Sequence, residues 1–422
     1  MEKRVYDEYL EILREELVPA LGCTEPIAIA YGASKAREVL GCLPESIVVR
    51  CSGNIIKNVK AVIVPTTGDM KGIETSAILG AVGGQADKKL EVLGAITDEH
   101  LQLTRELLKK KICTVELIEG VSNLQIIVEE HAGADVALVE IAFSHTNIVR
   151  IERNGEVLFE KERAASKASV TDRSLLNLRD IYDFACTVDL QQVRELLTRQ
   201  IDYNMAIARE GLTKNYGANV GSTILHHYGD DVRSRARAFA AAGSDARMNG
   251  CVLPVMINSG SGNQGMTVSL PIVVYAEALM KDEEQELRAL TLSNLIAILQ
   301  KNELGKLSAY CGAVSAAAGA GAGIAYLHGA SFEVIEQTVV NTLANVSGIV
   351  CDGAKASCAA KIATSVDAAI MAYYMATESR GFQSGEGLVK KNAEETIRSY
   401  GRMGREGMRS TDVEILKIML EP

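Results

Sequence analysis

Hydrophobic and polar positions follow two different periods along the chain. Over 26–40, 72–84 and 98–110, apolar side chains recur every three or four residues, which predicts helices. From 112 to 160 the period becomes two, and β-branched runs such as ADVALVEIAF, separated by turn signals such as NG, predict strands. The N-terminal part is therefore predicted to be an α/β unit with a largely antiparallel sheet, within an α+β chain.

Two further segments of this part give local predictions. The charged amphipathic stretch at the N-terminus predicts a helix that ends near Val18, because Pro19 follows it. Residues 46–64 resemble two strands that are interrupted by the polar letters SGN.

The pattern is helical in the rest of the chain. KERAASKASVTDRS, at about 161–174, is small, charged and unpatterned, which is typical of a linker. Ala- and Leu-rich helical segments follow it, without a repeat of fixed period. We therefore predict an α+β domain over 1–165 and a mostly α-helical catalytic domain over 166–422.

Composition narrows the class of protein. A net charge of −10 over 422 residues argues against nucleic acid or an anionic membrane as the main partner. We expect no signal peptide, because the N-terminal helix is charged, and no membrane span, because the apolar stretch at 348–376 carries four charged residues. The expected location is the cytoplasm, where nine cysteines indicate reduced thiols and ligands. A homo-oligomer is left open.

Three cysteines of the helical part are candidate metal ligands. Cys351 and Cys358 are separated by six residues, and Cys311 lies forty residues before Cys351. Each lies at a glycine-marked break next to a predicted helix, where N–H groups stabilise anionic sulfur. A structural zinc site would need CxxC knuckles, which these three cysteines do not form. Packing of each cysteine as a small hydrophobe in an Ala-rich core is the competing interpretation.

Cys23 is the candidate catalytic group. It lies in GCTEP, just before a helix predicted to begin near Pro26, and a helix N-terminus favours a thiolate. We therefore expect a lowered thiol pKa and a role as the base. A buried cysteine in a turn that joins two helices accounts for the same GCTEP sequence equally well.

Polar loops supply candidate substrate-binding groups. Glycine, hydroxyl and amide groups between apolar segments offer donors to an amino-acid carboxylate, although a plain turn or a surface loop has a similar composition. His145, at a strand end, either reaches a substrate or caps the strand. The candidates in the loops are Asn54, Lys57, Asn58, Thr66, Thr67, Asn249, Ser259, Ser261, Asn263 and Gln264.

Six segments in this order resemble the L-cysteine desulfidase family, which is related to iron–sulfur L-serine dehydratase alpha chains. The resemblance covers most of the chain, and the order and number of the motifs make it specific. The segments are LGCTEPIAIA, CSGNIIKNV, VPTTGDMKG, NGCVLPVMINSGSGNQG, CGAVSAAAGAGAG and CDGAKASCAAKIA.

This resemblance implies a 4Fe–4S cluster on Cys311, Cys351 and Cys358, with a fourth iron free to bind the β-leaving group of a small amino-acid substrate. It also implies that Cys23 lies in or beside the active site, whereas Cys251 receives no role. The implied reaction is α,β-elimination of L-cysteine to hydrogen sulfide, ammonia and pyruvate.

Other functions stay open at this stage. L-serine would undergo the same elimination with a different leaving group. A non-catalytic iron–sulfur redox sensor is a second alternative, although the acidic chain carries no recognisable partner-binding module. Pyridoxal phosphate is not expected, because Lys355 and Lys361 lie near the cysteines without a phosphate-binding loop.

Overall fold

The computed structural model describes residues 1–161, 171–305 and 308–421. Strands dominate between residues 113 and 160 and helices dominate after residue 178, so the predicted α+β class is confirmed. Most of the predicted linker, and with it the boundary at residue 165, lies outside the described residues.

The N-terminal part is organised around a six-stranded sheet. Its strand order is β3-β2-β4-β5-β6-β7. Only β2 and β3 are parallel, and all the other neighbours are antiparallel, as the alternating pattern predicts. The strands are β2 (Ser46–Ser52), β3 (Cys113–Ile118), β4 (Gln125–Ala132), β5 (Asp135–Ala142), β6 (Ile148–Arg153) and β7 (Glu156–Glu160).

Residues 1–161 also contain five α-helices. Helix α2 packs on β4 and β5 and also on α4, because Gly80 of α4 lets the two backbones approach. A Cβ atom at Gly80 would lie 2.3 Å from the carbonyl oxygen of Ala30. The helices are α1 (Lys3–Glu16), α2 (Thr24–Leu40), α3 (Gly53–Val59), α4 (Gly72–Gly83) and α5 (Asp98–Lys109).

The remaining described residues form a helical assembly. None of the described helices combines the length and the apolar character that crossing a membrane requires. The helices are α6 (Leu178–Thr187), α7 (Arg194–Thr213), α8 (Val220–Tyr228), α9 (Val232–Met248), α10 (Gly262–Ala278), α11 (Glu283–Leu304), α12 (Gly312–Leu327), α13 (Phe332–Val346), α14 (Cys358–Thr377), α15 (Ala393–Arg402) and α16 (Arg409–Leu420).

Helix α12 lies at the centre of this assembly. Its sequence GAVSAAAGAGAGIAYL is small and apolar on every face, which is typical of a helix that is surrounded by others. It packs against α10, α11, α13 and α14. A Cβ atom at Gly319 would lie 2.5 Å from the carbonyl oxygen of Ser293 on α11, so the small residues set the helix spacing.

A short antiparallel ladder joins the two parts of the chain. Strand β1 (Pro19–Leu21) pairs with β8 (Pro254–Met256), with Ala20 opposite Val255. The amide of Ile257 also donates to the carbonyl of Val18 at 3.0 Å. This pairing places the residues that follow β1 beside the residues that follow β8.

Helix α1 ends at Glu16, two residues before Val18, whose backbone bonds to Ile257 of the β1–β8 ladder. One local prediction is wrong. Residues 53–59 form helix α3 instead of a second strand. Their β-branched residues favour a strand only weakly, and the helix buries Ile55 and Val59 completely.

The C-terminal helix α16 is attached through polar contacts, and all its residues stay at least partly exposed. Asp412 pairs with the ammonium of Lys57 and accepts a hydrogen bond from Asn54 Nδ2 at 2.7 Å. The Lys57 side chain is only 1 % exposed. The helix therefore supplies the counter-charge of a buried lysine.

We expect Gly22→Ala to destabilise the protein more than Gly41→Ala. Both glycines have positive φ, so each alanine introduces about 1–2 kcal/mol of backbone strain. At Gly22 the new Cβ would also lie 2.1 Å from Pro65 Cγ, whereas nothing lies within 4 Å at Gly41. The clash should add about 1–3 kcal/mol, measured by denaturant unfolding. Equal losses would contradict this packing of the corner after β1.

We expect Asp412→Ala to lower stability by about 3–5 kcal/mol, because it leaves the Lys57 ammonium buried without a partner. Glu414→Ala on the same helix is the matched control. It removes the ion pair between Glu414 and Lys417, whose side chains are 65 % and 67 % exposed. The loss in the free energy of unfolding should therefore stay below about 1 kcal/mol. Urea unfolding of both variants measures the difference, and similar losses would contradict the account of α16.

Candidate active site

One buried cavity collects most of the chemistry-bearing residues that the sequence singles out. Its volume is about 110 Å³, roughly ten times the space that one water molecule needs, so it suits a small molecule. Residues from both parts of the chain line it. They include Cys23, Glu25, Asn58, His145, Arg247, Ser259, Ser261, Asn263, Gln264, Lys301, Cys311, Cys351 and Cys358.

The corner after β1 places Cys23 and Glu25 in this cavity. Gly22 takes the left-handed conformation with φ +54°, and α2 then begins at Thr24. Two bonds fix the corner to the helical part. The Thr24 hydroxyl donates to the carbonyl of Gly260 at 2.9 Å, and Arg247 Nε donates to the carbonyl of Gly22 at 2.8 Å.

Glu25 is the partner of the Cys23 thiol. The thiol donates to Glu25 Oε2 across 3.0 Å, and Asn58 Nδ2 donates to Oε1 at 3.1 Å. Thr24 Oγ1 lies 3.2 Å from Oε2, so both carboxylate oxygens have partners. The carboxylate is thereby fixed in orientation at the N-terminus of α2, where the helix dipole favours a negative charge.

The pKa of Cys23 is raised well above its ordinary value. Burial is the main cause, and the negative charge of Glu25 adds to it, whereas Arg247 acts in the opposite direction. The expectation that the helix N-terminus lowers this pKa is therefore wrong. The dipole effect is smaller than the desolvation of a thiolate next to a carboxylate, so Cys23 carries a proton at neutral pH.

The pKa of the Glu25 carboxyl is lowered to about 2. Burial alone would raise it, but the interactions with His145 and with the Cys23 thiol outweigh burial. His145 Nε2 lies 3.8 Å from Glu25 Oε1, which is beyond hydrogen-bond length. His145 is 6 % exposed, and its Nε2 has no hydrogen-bond partner among the described residues.

The loop after β8 forms another wall of the cavity. Ser259 and Gly260 both have positive φ, and Ser261 then caps α10 by accepting from the amide of Gln264. Asn263 Oδ1 accepts from Arg247 Nη1 at 3.1 Å. Within the described segments, Gln264 Oε1 is buried without a hydrogen-bond partner. The predicted donors Asn58, Ser259, Ser261 and Asn263 thus all line the cavity.

An isolated β-bridge brings two of the three candidate metal cysteines together. Tyr310 pairs with Val350, and the amide of Cys311 donates to the carbonyl of Ile349 at 3.1 Å. In turn, the amide of Cys351 donates to the carbonyl of Ala309 at 2.6 Å. Cys311 immediately precedes α12, so the bridge places Cys351 beside the start of that helix.

Cys358 completes this group of thiols. It is the first residue of α14, and its thiol lies 3.7 Å from the carbonyl oxygen of Gly353. Burial raises the pKa of Cys311 to about 12, and the neighbouring thiols of Cys351 and Cys358 add to the shift. Burial also raises the pKa of Cys358, and Cys351 contributes. The thiols therefore lie close enough to affect one another electrostatically.

Two lysines stabilise the loop between Cys351 and Cys358. Lys355 pairs with Asp352 at 2.6 Å, and Lys361 pairs with the same carboxylate and also donates to the carbonyl of Val350 at 2.8 Å. Both lysines thus have partners within the loop. In the described part of the chain, no three or more His, Cys, Asp or Glu side chains are grouped so that they could hold one metal ion.

Four predicted substrate-binding residues do not line the cavity, and their contacts explain why. Asn54 and Lys57 bond to Asp412 of α16 instead. Thr67 Oγ1 donates to the carbonyl of Val64 at 2.7 Å inside its own turn. Thr66 adopts a left-handed backbone conformation in the same turn, with φ +70°.

Two other residues of the predicted loops also lie elsewhere. Cys251 is buried, and Tyr216 interacts with its thiol through a hydrogen bond. Asn249 Nδ2 donates to the carbonyl of Asp245 at 2.7 Å, which closes the end of α9. Neither residue lines the cavity.

Sequence reasoning missed three charged residues of the cavity. Glu25 could have been predicted from the sequence, because a carboxylate two residues after a candidate cysteine can reach its thiol. No feature of the sequence points to Arg247 or Lys301, because a single charged residue within a helical pattern is usually exposed. In this protein they are only 3 % and 7 % exposed.

Comparison with known proteins gives the family. A sequence model described as serine dehydratase alpha chain matches residues 87–417. Proteins named UPF0597 protein are similar over 99–100 % of this chain and at least 97 % of their own length. They come from Lachnoclostridium phytofermentans, Desulfitobacterium hafniense and Treponema denticola and are 57 %, 52 % and 48 % identical. The chain therefore belongs to the serine dehydratase alpha chain family.

Proposed function

We propose that this chain catalyses the α,β-elimination of L-cysteine to hydrogen sulfide, ammonia and pyruvate. The observation that carries the proposal is the meeting of Cys311, Cys351 and Cys358 with the Cys23–Glu25 pair in one buried cavity. Membership in the serine dehydratase alpha chain family supports a lyase that eliminates a β-substituent from a small amino acid.

The three thiols are suited to a 4Fe–4S cluster. Ligands of a single ion must all reach one atom, about 2.3 Å from each sulfur for zinc. Ligands of a cluster bind separate irons and therefore stand further apart. Three thiols that line one cavity could supply the ligands of such a cluster.

Cys311, Cys351 and Cys358 would hold such a cluster, which would supply a Lewis acid for the β-leaving group. The protein has two further tasks. It must orient the amino acid, and it must move the α-proton.

The Cys23–Glu25 pair is suited to proton transfer. In the free protein the proton stays on sulfur, because the pKa of Cys23 is raised and that of Glu25 is about 2. Cys23 can take the α-proton only if Glu25 accepts the thiol proton in the same step. The proton balance then closes when the pair returns one proton to the leaving group or to the aminoacrylate, which hydrolyses to pyruvate and ammonia.

Orientation of the substrate falls to the walls of the cavity. Asn263 is held by Arg247, and Ser261 is held as the cap of α10, so both groups are fixed before a ligand binds. Fixed polar groups lose little entropy on binding. The Glu25 carboxylate, which keeps its negative charge until the thiol proton is transferred, is the candidate partner of the substrate ammonium.

L-serine is the second candidate substrate. The matching family is described as serine dehydratase alpha chain, which favours a hydroxyl leaving group. The GCTEP corner favours the desulfidase interpretation, and it lies before residue 87, where the family match begins. Both substrates would share the same proton-transfer groups.

The first test is anaerobic reconstitution with iron and sulfide, followed by assays of pyruvate release from L-cysteine and L-serine. We expect about four irons per chain and a higher kcat/KM for L-cysteine. Cys311→Ser, Cys351→Ser and Cys358→Ser should each lower iron content and activity, whereas the exposed control Cys42→Ser should change neither.

A higher kcat/KM for L-serine would show that the substrate is L-serine instead of L-cysteine. Reconstituted protein that binds iron but releases no pyruvate from either amino acid would contradict the elimination itself.

The second test addresses proton transfer. We expect Cys23→Ala and Glu25→Gln each to lower kcat by about 10²–10⁴-fold at unchanged iron content, because each removes one member of the hydrogen-bonded pair. The double variant should be no slower than the worse single variant, since residues that act as a unit are not additive. If Cys23→Ala retains most of the activity with its iron in place, Cys23 does not transfer the α-proton.

A further inference from the structure

Lys301 differs from Lys57, the other buried lysine in the part of the chain that the structure describes. It lies on α11, is 7 % exposed and lines the cavity. Lys57 is equally buried but pairs with Asp412. Among residues 1–161, 171–305 and 308–421, no hydrogen bond or ion pair to the Lys301 ammonium is found, and no hydrogen bond contributes to its pKa. A buried charge without a partner is costly, so it persists where a ligand supplies the partner.

The charges around Lys301 agree with an unpaired cation. Burial lowers its pKa, and the positive charge of Lys57 acts in the same direction. Cys351, Cys311 and Glu25 act in the opposite direction, yet they do not offset burial. These three groups are the acidic neighbours of the ammonium, and all three line the same cavity.

Arg247 is a second cation of the same cavity. It is 3 % exposed and uses Nε and Nη1 to hold Gly22 and Asn263. No hydrogen bond from its Nη2 is found within the described segments. A buried guanidinium that two bonds fix in place suits a carboxylate, because it presents further N–H groups without rearrangement.

Acceptor groups complement these cations. Gln264 Oε1 is buried in the cavity without a partner in the described residues, and Glu25 adds a carboxylate. The cavity thus offers cationic donors and anionic or neutral acceptors at once. That combination matches a zwitterion, which carries a carboxylate and an ammonium on one carbon.

We infer that Lys301, together with Arg247, binds the α-carboxylate of the amino-acid substrate. This inference rests on the proposed function and adds to it the group that recognises the substrate class. An amine without a carboxylate would leave the Lys301 ammonium buried and unpaired, so the site selects α-amino acids over simple amines.

The test measures binding of L-alanine, which has both charged groups but no leaving group, against ethylamine, which lacks the carboxylate. Dissociation constants are determined by calorimetry for metal-free and iron-loaded protein. The variants are Lys301→Met, Lys301→Arg and the exposed control Lys391→Met.

We expect Lys301→Met to weaken L-alanine binding roughly 10–100-fold, the range for loss of a hydrogen bond to a charged group. Lys301→Arg should recover part of this loss, and Lys391→Met should have no effect. Ethylamine binding should not weaken in any variant. The kcat/KM for the preferred amino acid should fall mainly through KM, because the carboxylate is bound equally in the ground and transition states.

Unfolding of the ligand-free protein separates this role from a structural one. Lys301→Met removes an unpaired buried charge, so its thermal midpoint should equal or exceed that of the wild type. A residue needed for folding would lower the midpoint instead.

Two results would overturn the inference. One is an active wild type that binds L-alanine no better than ethylamine. The other is a Lys301→Met protein that binds L-alanine as tightly as the wild type. If that variant also loses iron, Lys301 neutralises the thiolates instead of binding substrate. An inactive wild type that binds neither compound would count against the proposed function itself.

Discussion

Pairing of β1 with β8 is the constraint on which the cavity depends. Three backbone positions on each strand bring a corner near residue 23 against a turn near residue 260, more than 230 residues later in the chain. The bonds from Thr24 to Gly260 and from Arg247 to Gly22 then fix the two loops to each other. Without this ladder, the Cys23–Glu25 pair and the start of α10 would belong to separate surfaces.

Burial determines the electrostatics of the site more strongly than any single helix terminus. The N-terminus of α2 lies at Cys23, yet desolvation and the adjacent carboxylate keep the thiol protonated. Burial likewise lowers the pKa of the Lys301 ammonium. A cavity that holds a buried carboxylate, a buried ammonium and a buried guanidinium is costly to form, and a zwitterionic ligand would reduce that cost. This is the physical link between the fold and the proposed substrate class.

The sequence predicts the fold class well, because the change from a helical period to a period of two is strong. The strand prediction fails at residues 53–59, which form a short buried helix. There, tertiary packing overrides the strand propensity of the β-branched residues. The resemblance in motif order implies that the three downstream cysteines act as one ligand set, and all three line the cavity. Sequence reasoning could not find Lys301 or Arg247, because their roles depend on which polar groups lack partners after folding.

Mössbauer spectroscopy of protein reconstituted with ⁵⁷Fe tests the central claim most directly. The account predicts a four-iron centre in which one iron differs from the other three, and in which only that iron changes its parameters when L-cysteine is added. Four equivalent irons that do not respond to the amino acid, or iron that remains bound after Cys311, Cys351 and Cys358 are all replaced by serine, would contradict it.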